Sequence, residues 1–182
     1  MCSINYNQTL NQTKVWNEKD NLFLFILISN SFAQNFGASL GYSTSNAFFG
    51  DVFYSVNKSS FHIGYTSESN NASGEEVSEQ KSNYGKTISG TGDYFSSFDL
   101  GYGYNIFENV KVNIELSFAS KKIYKNYVDG RFSGGGYHMI TKDGFELGLG
   151  GFVGYDINNF IFFIGYNSVR KVGFGLRYIF KL

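Results

Sequence analysis

Proline is absent from all 182 residues of this chain, and cysteine occurs once, at Cys2. A lone cysteine excludes both an internal disulfide framework and a cysteine-built metal site. No excess of either charge is present: 15 Lys and Arg face 15 Asp and Glu, so nothing in the balance calls for a nucleic-acid partner. Histidine is equally scarce. His62 and His138 have neither the His-x-x-x-His nor the His-Glu spacing of a metal centre, and no cofactor is expected. A membrane-spanning apolar helix is missing too, because the longest strongly apolar run, Leu22 to Ile28, is too short to cross a bilayer. What the chain does hold is 22 glycines, 20 phenylalanines and 14 tyrosines, a composition suited to strands and close-packed interiors.

The Leu22 to Ile28 run, followed by the small residues of Ser31-Phe32-Ala33, has the form of a signal-peptide core with cleavage after Ala33. The chain therefore divides into a signal peptide, 1–33, and one domain, 34–182. The polar stretch Met1 to Asn21 is over-long for a signal-peptide start, and its Lys14 and Lys19 are cancelled by Glu18 and Asp20, which points to a start codon placed too far upstream. Cys2 precedes the apolar core, so it is not a lipoprotein anchor.

From Gln34 onward, apolar residues recur at every second position, the period of a strand with one apolar face. Eight such segments are expected: about Asn35 to Thr44, Ala47 to Val56, Ser60 to Glu68, Tyr94 to Phe107, Val110 to Lys125, Gly144 to Ile157, Phe160 to Asn167 and Val172 to Leu182. In the second, Phe49 and Phe53 break the alternation. The last carries its apolar face, Val172, Phe174, Leu176, Tyr178, Phe180 and Leu182, to its final residue, and lipid is the natural partner for such a face. Loop lengths agree with an even-stranded barrel whose termini share one side. The second, fourth and sixth connections, at Asn57-Lys58-Ser59, Glu108-Asn109 and Asn158-Asn159, are short and polar, whereas long connections fall at Ser67 to Asp93 and Asn126 to Asp143. The expected fold is all-β, an eight-stranded antiparallel up-and-down transmembrane β-barrel.

Gly175, Tyr178 and Phe180 form a Gly-x-x-aromatic-x-aromatic spacing that resembles the terminal assembly signal of bacterial outer-membrane barrels, extended here by Lys181 and Leu182. With the strand count and loop parity, residues 34–182 resemble the small eight-stranded barrels of the OmpA transmembrane-domain and OmpX type. That resemblance implies a monomer in the bacterial outer membrane, in contact with outer-membrane lipid, lipopolysaccharide and the barrel-assembly machinery. It also implies a structural or surface-interaction role in adhesion or envelope integrity. A narrow channel and a lipid A-modifying enzyme are the alternatives.

An eight-stranded barrel is only wide enough inside for side chains. The inward parity is mostly Gly, Ser and Asn, with Asp51, His62, Asp99, Glu115, Glu146 and Arg177 forming the expected polar network. Within it Arg177 is expected to bond with Glu146, Glu115 or Asp99, since a buried guanidinium needs a carboxylate. No catalytic constellation stands out; His138 with Ser133 or Ser120 is the nearest approach to one. Lys121, Lys122, Tyr124, Lys125, Arg170 and Lys171 are expected at the outer rim as a lipopolysaccharide contact. Ser67 to Asp93, rich in Ser, Asn, Gly and Glu, is expected to be mobile, exposed and tolerant of insertion.

Overall fold

The computed structural model describes residues 34–181, so the signal peptide and its cleavage site lie outside the described residues. Nine strands follow in order: β1 (Gln34–Ser43), β2 (Ala47–Val56), β3 (Ser59–Glu68), β4 (Glu75–Glu76), β5 (Ile88–Phe107), β6 (Val110–Val128), β7 (Gly136–Ile157), β8 (Phe160–Asn167) and β9 (Lys171–Lys181). Each of β1, β2, β3 and β5 to β9 pairs antiparallel with its neighbour, and β9 returns to β1. The result is a closed eight-stranded barrel. The ninth strand, β4, is a two-residue parallel addition to β7.

Three hairpins turn in two residues, with Val56 paired to Ser59, Phe107 to Val110 and Ile157 to Phe160. Asn57 and Asn158 open two of them with φ of 54° and 62°, a left-handed conformation that asparagine tolerates better than most residues. The opposite end of the barrel holds the connections 44–46, 69–87, 129–135 and 168–170.

The outer wall is apolar throughout. Along β3, Phe61, Ile63 and Tyr65 are exposed while Ser60, His62, Gly64 and Thr66 are buried. The same alternation exposes Leu40, Val52, Leu100, Ile114, Leu149, Val153, Ile164 and Leu176. Aromatic rings cluster towards both strand ends: Phe36, Tyr54, Phe61 and Tyr102 are register partners near one end, and Tyr65, Phe98 and Phe118 near the other. A wall of this kind is stable against hydrocarbon, and closure of the strands into a ring pairs the backbone along it. This is a transmembrane β-barrel.

Phe49 and Phe53 explain their own irregularity. Both point inward, 5% and 2% exposed, and the neighbouring wall is bare to receive them. A Cβ on Gly37 would sit 2.0 Å from the Phe53 ring, and one on Gly101 would sit 1.9 Å from the imidazole of His62. Glycine at these positions makes space for a bulky inward group.

Three strands run further than periodicity implies. β5 starts at Ile88, β6 continues to Val128 and β7 starts at Gly136, because beyond the lipid band neither face needs an apolar set. β3 last pairs with β5 at Ser67 and Ser96, and β8 last pairs with β7 at Asn167 and Gly150. Past those points β5, β6 and β7 form a three-stranded extension. A bulge at Thr141, between the pairs Ile123–Lys142 and Tyr124–Ile140, interrupts its register.

The segment 69–87 is largely exposed, as expected, and hydrogen bonds tie it to this extension, in place of the expected mobile loop. By register, Tyr124, Asn126 and His138 continue the outward parity, and Tyr127 and Tyr137 the inward one. On the outward side the Asn71 N–H donates to the Tyr124 hydroxyl (3.2 Å) and the Ser73 N–H to Asn126 Oδ1 (2.9 Å). The chain then pairs alongside β7 through β4, with the Val77 N–H donating to the His138 carbonyl at 2.8 Å. It next meets Tyr137, whose hydroxyl receives Gln80 Nε2 (2.6 Å) and donates to the Gly85 carbonyl (2.7 Å). A polar segment that buries little apolar surface is held here by backbone and side-chain hydrogen bonds instead.

Candidate functional site: a packed lumen and an open strand edge

The barrel interior is built in tiers. Ala47, Phe95, Ala119 and Val169 form an apolar cluster towards the loop-bearing mouth, Phe49, Phe152 and Phe163 a second, and Phe53, Ile161 and Ile179 a third nearer the short turns. Polar groups fill the space between them. Arg170 enters from the 168–170 turn; its Nη1 donates to Asp99 (3.2 Å) and Thr66 Oγ1 (3.1 Å), and its Nη2 to Glu115 (2.8 Å). Thr66 and Ser97 hydroxyls complete Asp99 at 2.6 and 2.9 Å, while Asn167 Nδ2 (2.7 Å) and His62 Nε2 (3.5 Å) complete Glu115. Deeper in, Arg177 Nη2 reaches both oxygens of Asp51 at 3.1 and 3.0 Å, and Ser39 donates its hydroxyl to the same carboxylate.

Each guanidinium also lies between rings. Arg170 is 4.1 Å from the Phe49 centroid and 4.8 Å from that of Phe152, and Arg177 is 4.6 Å from Phe53 and 5.7 Å from Phe163. Desolvated cations gain more from aromatic faces than exposed ones do. Two cavities in this interior have volumes of about 10 Å³ each, on the scale of a single water. Such a lumen is a packed core.

The structure places several expected site residues elsewhere. Arg177 pairs with Asp51 and not with Glu146, Glu115 or Asp99. Glu146 is exposed and outside the network: it lies beyond the last pairing of β8 with β7, so no neighbouring strand flanks it on that side. Arg170, expected at the lipid rim, is 3% exposed and folded into the lumen, where Asp99 and Glu115 require a cation. Tyr124, expected in the outer aromatic girdle, is 4% exposed beneath Asn71 and therefore unavailable to lipid. Lys121 lies on the inward parity and bonds to Asp93 at 2.8 Å. Lys122 and Lys125 are half-buried, and the exposed Lys171 donates its amine to the Ser168 carbonyl at 2.7 Å.

Of the terminal triplet, Tyr178 and Phe180 point outward with ring centroids 5.1 Å apart, and Gly175 faces the Phe163 ring. His138 is turned away from Ser133 and Ser120: Nδ1 donates to the Ser73 carbonyl at 3.0 Å and Nε2 lies 3.9 Å from Glu76. At the tip of the extension, the Arg131 guanidinium and the Gly85 N–H hold the Asp129 carboxyl well below the usual carboxylate range.

The extension leaves backbone edges open on both sides, on β5 before Ser96 and over a longer stretch on β7. Between the β4 pairing at His138 and the contact of Leu149 with Ser168, residues 139–148 of β7 pair only with β6 among the described residues. Residues 141–147 within that stretch are exposed on both faces.

No family model matches the chain, and no curated protein does. Among solved structures, one from the de novo design of transmembrane β-barrels aligns with a TM-score of 0.43 at 15% identity, covering 83% of this chain and 98% of that one. Neisserial surface protein A aligns at 0.44 and 14%, covering 82% and 96%. Ail, the attachment invasion locus protein of Yersinia pestis, aligns at 0.42 and 14%, covering 80% and 92%.

Proposed function

We propose that this protein is a non-conducting bacterial outer-membrane barrel that displays the β5 to β7 extension at the cell surface as a docking edge for an extended segment of another protein. The observation that carries this reading is the open backbone of residues 139–148, exposed on both faces at 141–147. Unpaired N–H and C=O groups in a row are a template for strand addition. Natural proteins ordinarily cover or blunt such an edge, and here β4 covers it only at Tyr137 and His138.

The packed lumen supports the surface role over the channel, because two arginine tiers sandwiched between aromatic rings leave no water-filled path. Tyr178 and Phe180, outward on β9, are the residues for the barrel-assembly machinery to engage. Lys122 and Lys171 are the rim cations for lipopolysaccharide phosphates, without Lys121, Lys125, Arg170 or Tyr124.

The test is a variant in which the extension is shortened so that β5, β6 and β7 end at the level of Ser96, Ser120 and Phe145. Cells carrying it should retain a heat-modifiable barrel and lose adhesion to protein-coated surfaces, and the intact protein should show no conductance steps in planar bilayers. Undiminished adhesion of cells with the shortened protein would remove the docking role.

A further inference from the structure

The lumen cavity of about 10 Å³ is lined by Asp51, His62, Asn113, Glu115, Arg170 and Arg177 together with aromatic rings. Four of these side chains carry a buried polar atom without a hydrogen-bond partner among the described residues: His62 Nδ1, Asn113 Oδ1, Arg170 Nε and Arg177 Nε. The residues themselves are 4%, 4%, 3% and 5% exposed. Unpaired polar atoms at such depth are costly, and four of the residues that line this one small space carry one, which asks for a partner there.

The chemistry of the four atoms selects that partner. A guanidinium Nε–H only donates, an amide Oδ1 only accepts, and an imidazole nitrogen does either according to tautomer. The occupant must therefore both accept and donate. A halide accepts only, leaves Asn113 Oδ1 unsatisfied and meets the carboxylates of Asp51 and Glu115. A metal cation would face two guanidiniums. The volume admits about one water-sized probe and nothing larger.

We infer that this cavity binds a single structural water, which accepts from a guanidinium Nε–H and donates to Asn113 Oδ1 or His62 Nδ1. The water links the Arg170 tier to the Arg177 tier across the Phe49, Phe152 and Phe163 cluster. Because apolar clusters close the lumen on either side, its exchange with bulk requires the barrel to open transiently.

High-resolution diffraction from crystals of the detergent-folded barrel, one set grown with bromide replacing chloride, tests this directly. One water peak within hydrogen-bonding distance of Asn113 Oδ1 and a guanidinium Nε, with no anomalous peak, is the expected result. A bromide peak in the cavity, an empty cavity, or a continuous file of waters reaching either mouth would each overturn it. In micelles, the Asn113 side-chain amide should show magnetisation transfer from a long-lived water, and Asn113→Leu should abolish the corresponding density. The wild-type density decides the matter even if that variant does not fold.

Discussion

The guanidinium carbon of Arg170 lies 4.1 Å from the centre of the Phe49 ring, a turn residue near one end of the chain capped by an inward phenylalanine of the second strand. The same guanidinium pairs with Asp99 and Glu115, which sit on two further strands, β5 and β6. One side chain thus joins five staves of the barrel, β2, β3, β5, β6 and β7, to the 168–170 turn. Arg170→Ala would leave two carboxylates in the barrel interior without their cation, and breaking a buried pair in this way costs about 3 to 5 kcal/mol. Urea titration followed by gel migration should show a large drop in midpoint for Arg170→Ala and almost none for the exposed Lys171→Ala.

The lower tier makes a separate prediction. Arg177→Met and Asp51→Asn should be coupled in a double-mutant cycle, with an interaction of about 0.5 to 3 kcal/mol for residues in direct contact. Arg177→Met combined with Glu146→Gln should be additive, because Glu146 stands at the open mouth. Coupling to Glu146 in place of Asp51 would contradict the arrangement of the lumen.

Gly101 and His62 are complementary in volume. Gly101→Ala brings a methyl group to within 1.9 Å of the imidazole, and overpacking of this kind typically costs about 1 to 3 kcal/mol. His62→Ala in the same chain should restore part of the lost stability. Thermal unfolding of the two single variants and the pair provides the comparison, and no rescue would mean that the clash is with the backbone.

Asp129 fastens the far end of the 69–87 segment through the Gly85 N–H at 2.7 Å. Its carboxyl, held below the usual range chiefly by Arg131, stays ionised in the folded state where the unfolded chain would already take up a proton. The contribution is therefore complete above the ordinary aspartate range, about pH 4, and is lost as pH falls from there through the depressed folded value. Amide exchange at Gly85, corrected for its intrinsic pH dependence, should be slow and constant from pH 7 to about pH 5 and accelerate below about pH 4. Asp129→Asn should show the faster exchange at every pH.

Insertion tolerance should follow the hydrogen bonds of the segment. An epitope tag at Ala72 separates Asn71 and Ser73 from Tyr124 and Asn126, so it should disturb the extension. A tag between Ser82 and Asn83, both exposed, should be accepted and reached by antibody on intact cells. Detection of that tag only after permeabilisation would invert the proposed orientation.

Much of the barrel was legible in the residue order because its determinants are local. Alternation at i, i+2 defines a one-sided strand without knowledge of its partner, and a two-residue turn such as Asn158-Asn159 is specified within four residues, so strand number and short-turn positions followed from the sequence alone. In β2 and β8 both parities carry large apolar groups, which blurs that signal; only the glycines of adjoining strands show that Phe49, Phe53 and Phe163 point inward.

Contacts between distant segments belonged to the tertiary structure. Arg170 lies in a turn, where period two assigns no face, and closure of β9 on β1 together with the paired β5 and β6 brings it onto Asp99 and Glu115. Glu146 shares the inward parity of the network, yet β8 ends at Asn167, leaving Glu146 without a flanking strand on that side. The 69–87 segment lacks an apolar pattern because hydrogen bonds to Tyr124, Asn126, His138 and Tyr137 hold it, and these depend on how far β6 and β7 extend above the lipid band. Local alternation determined that this chain forms a barrel with an apolar outer wall; strand length and stagger, which depend on pairing across the whole sheet, decided which charges meet inside it and which backbone edges are left open.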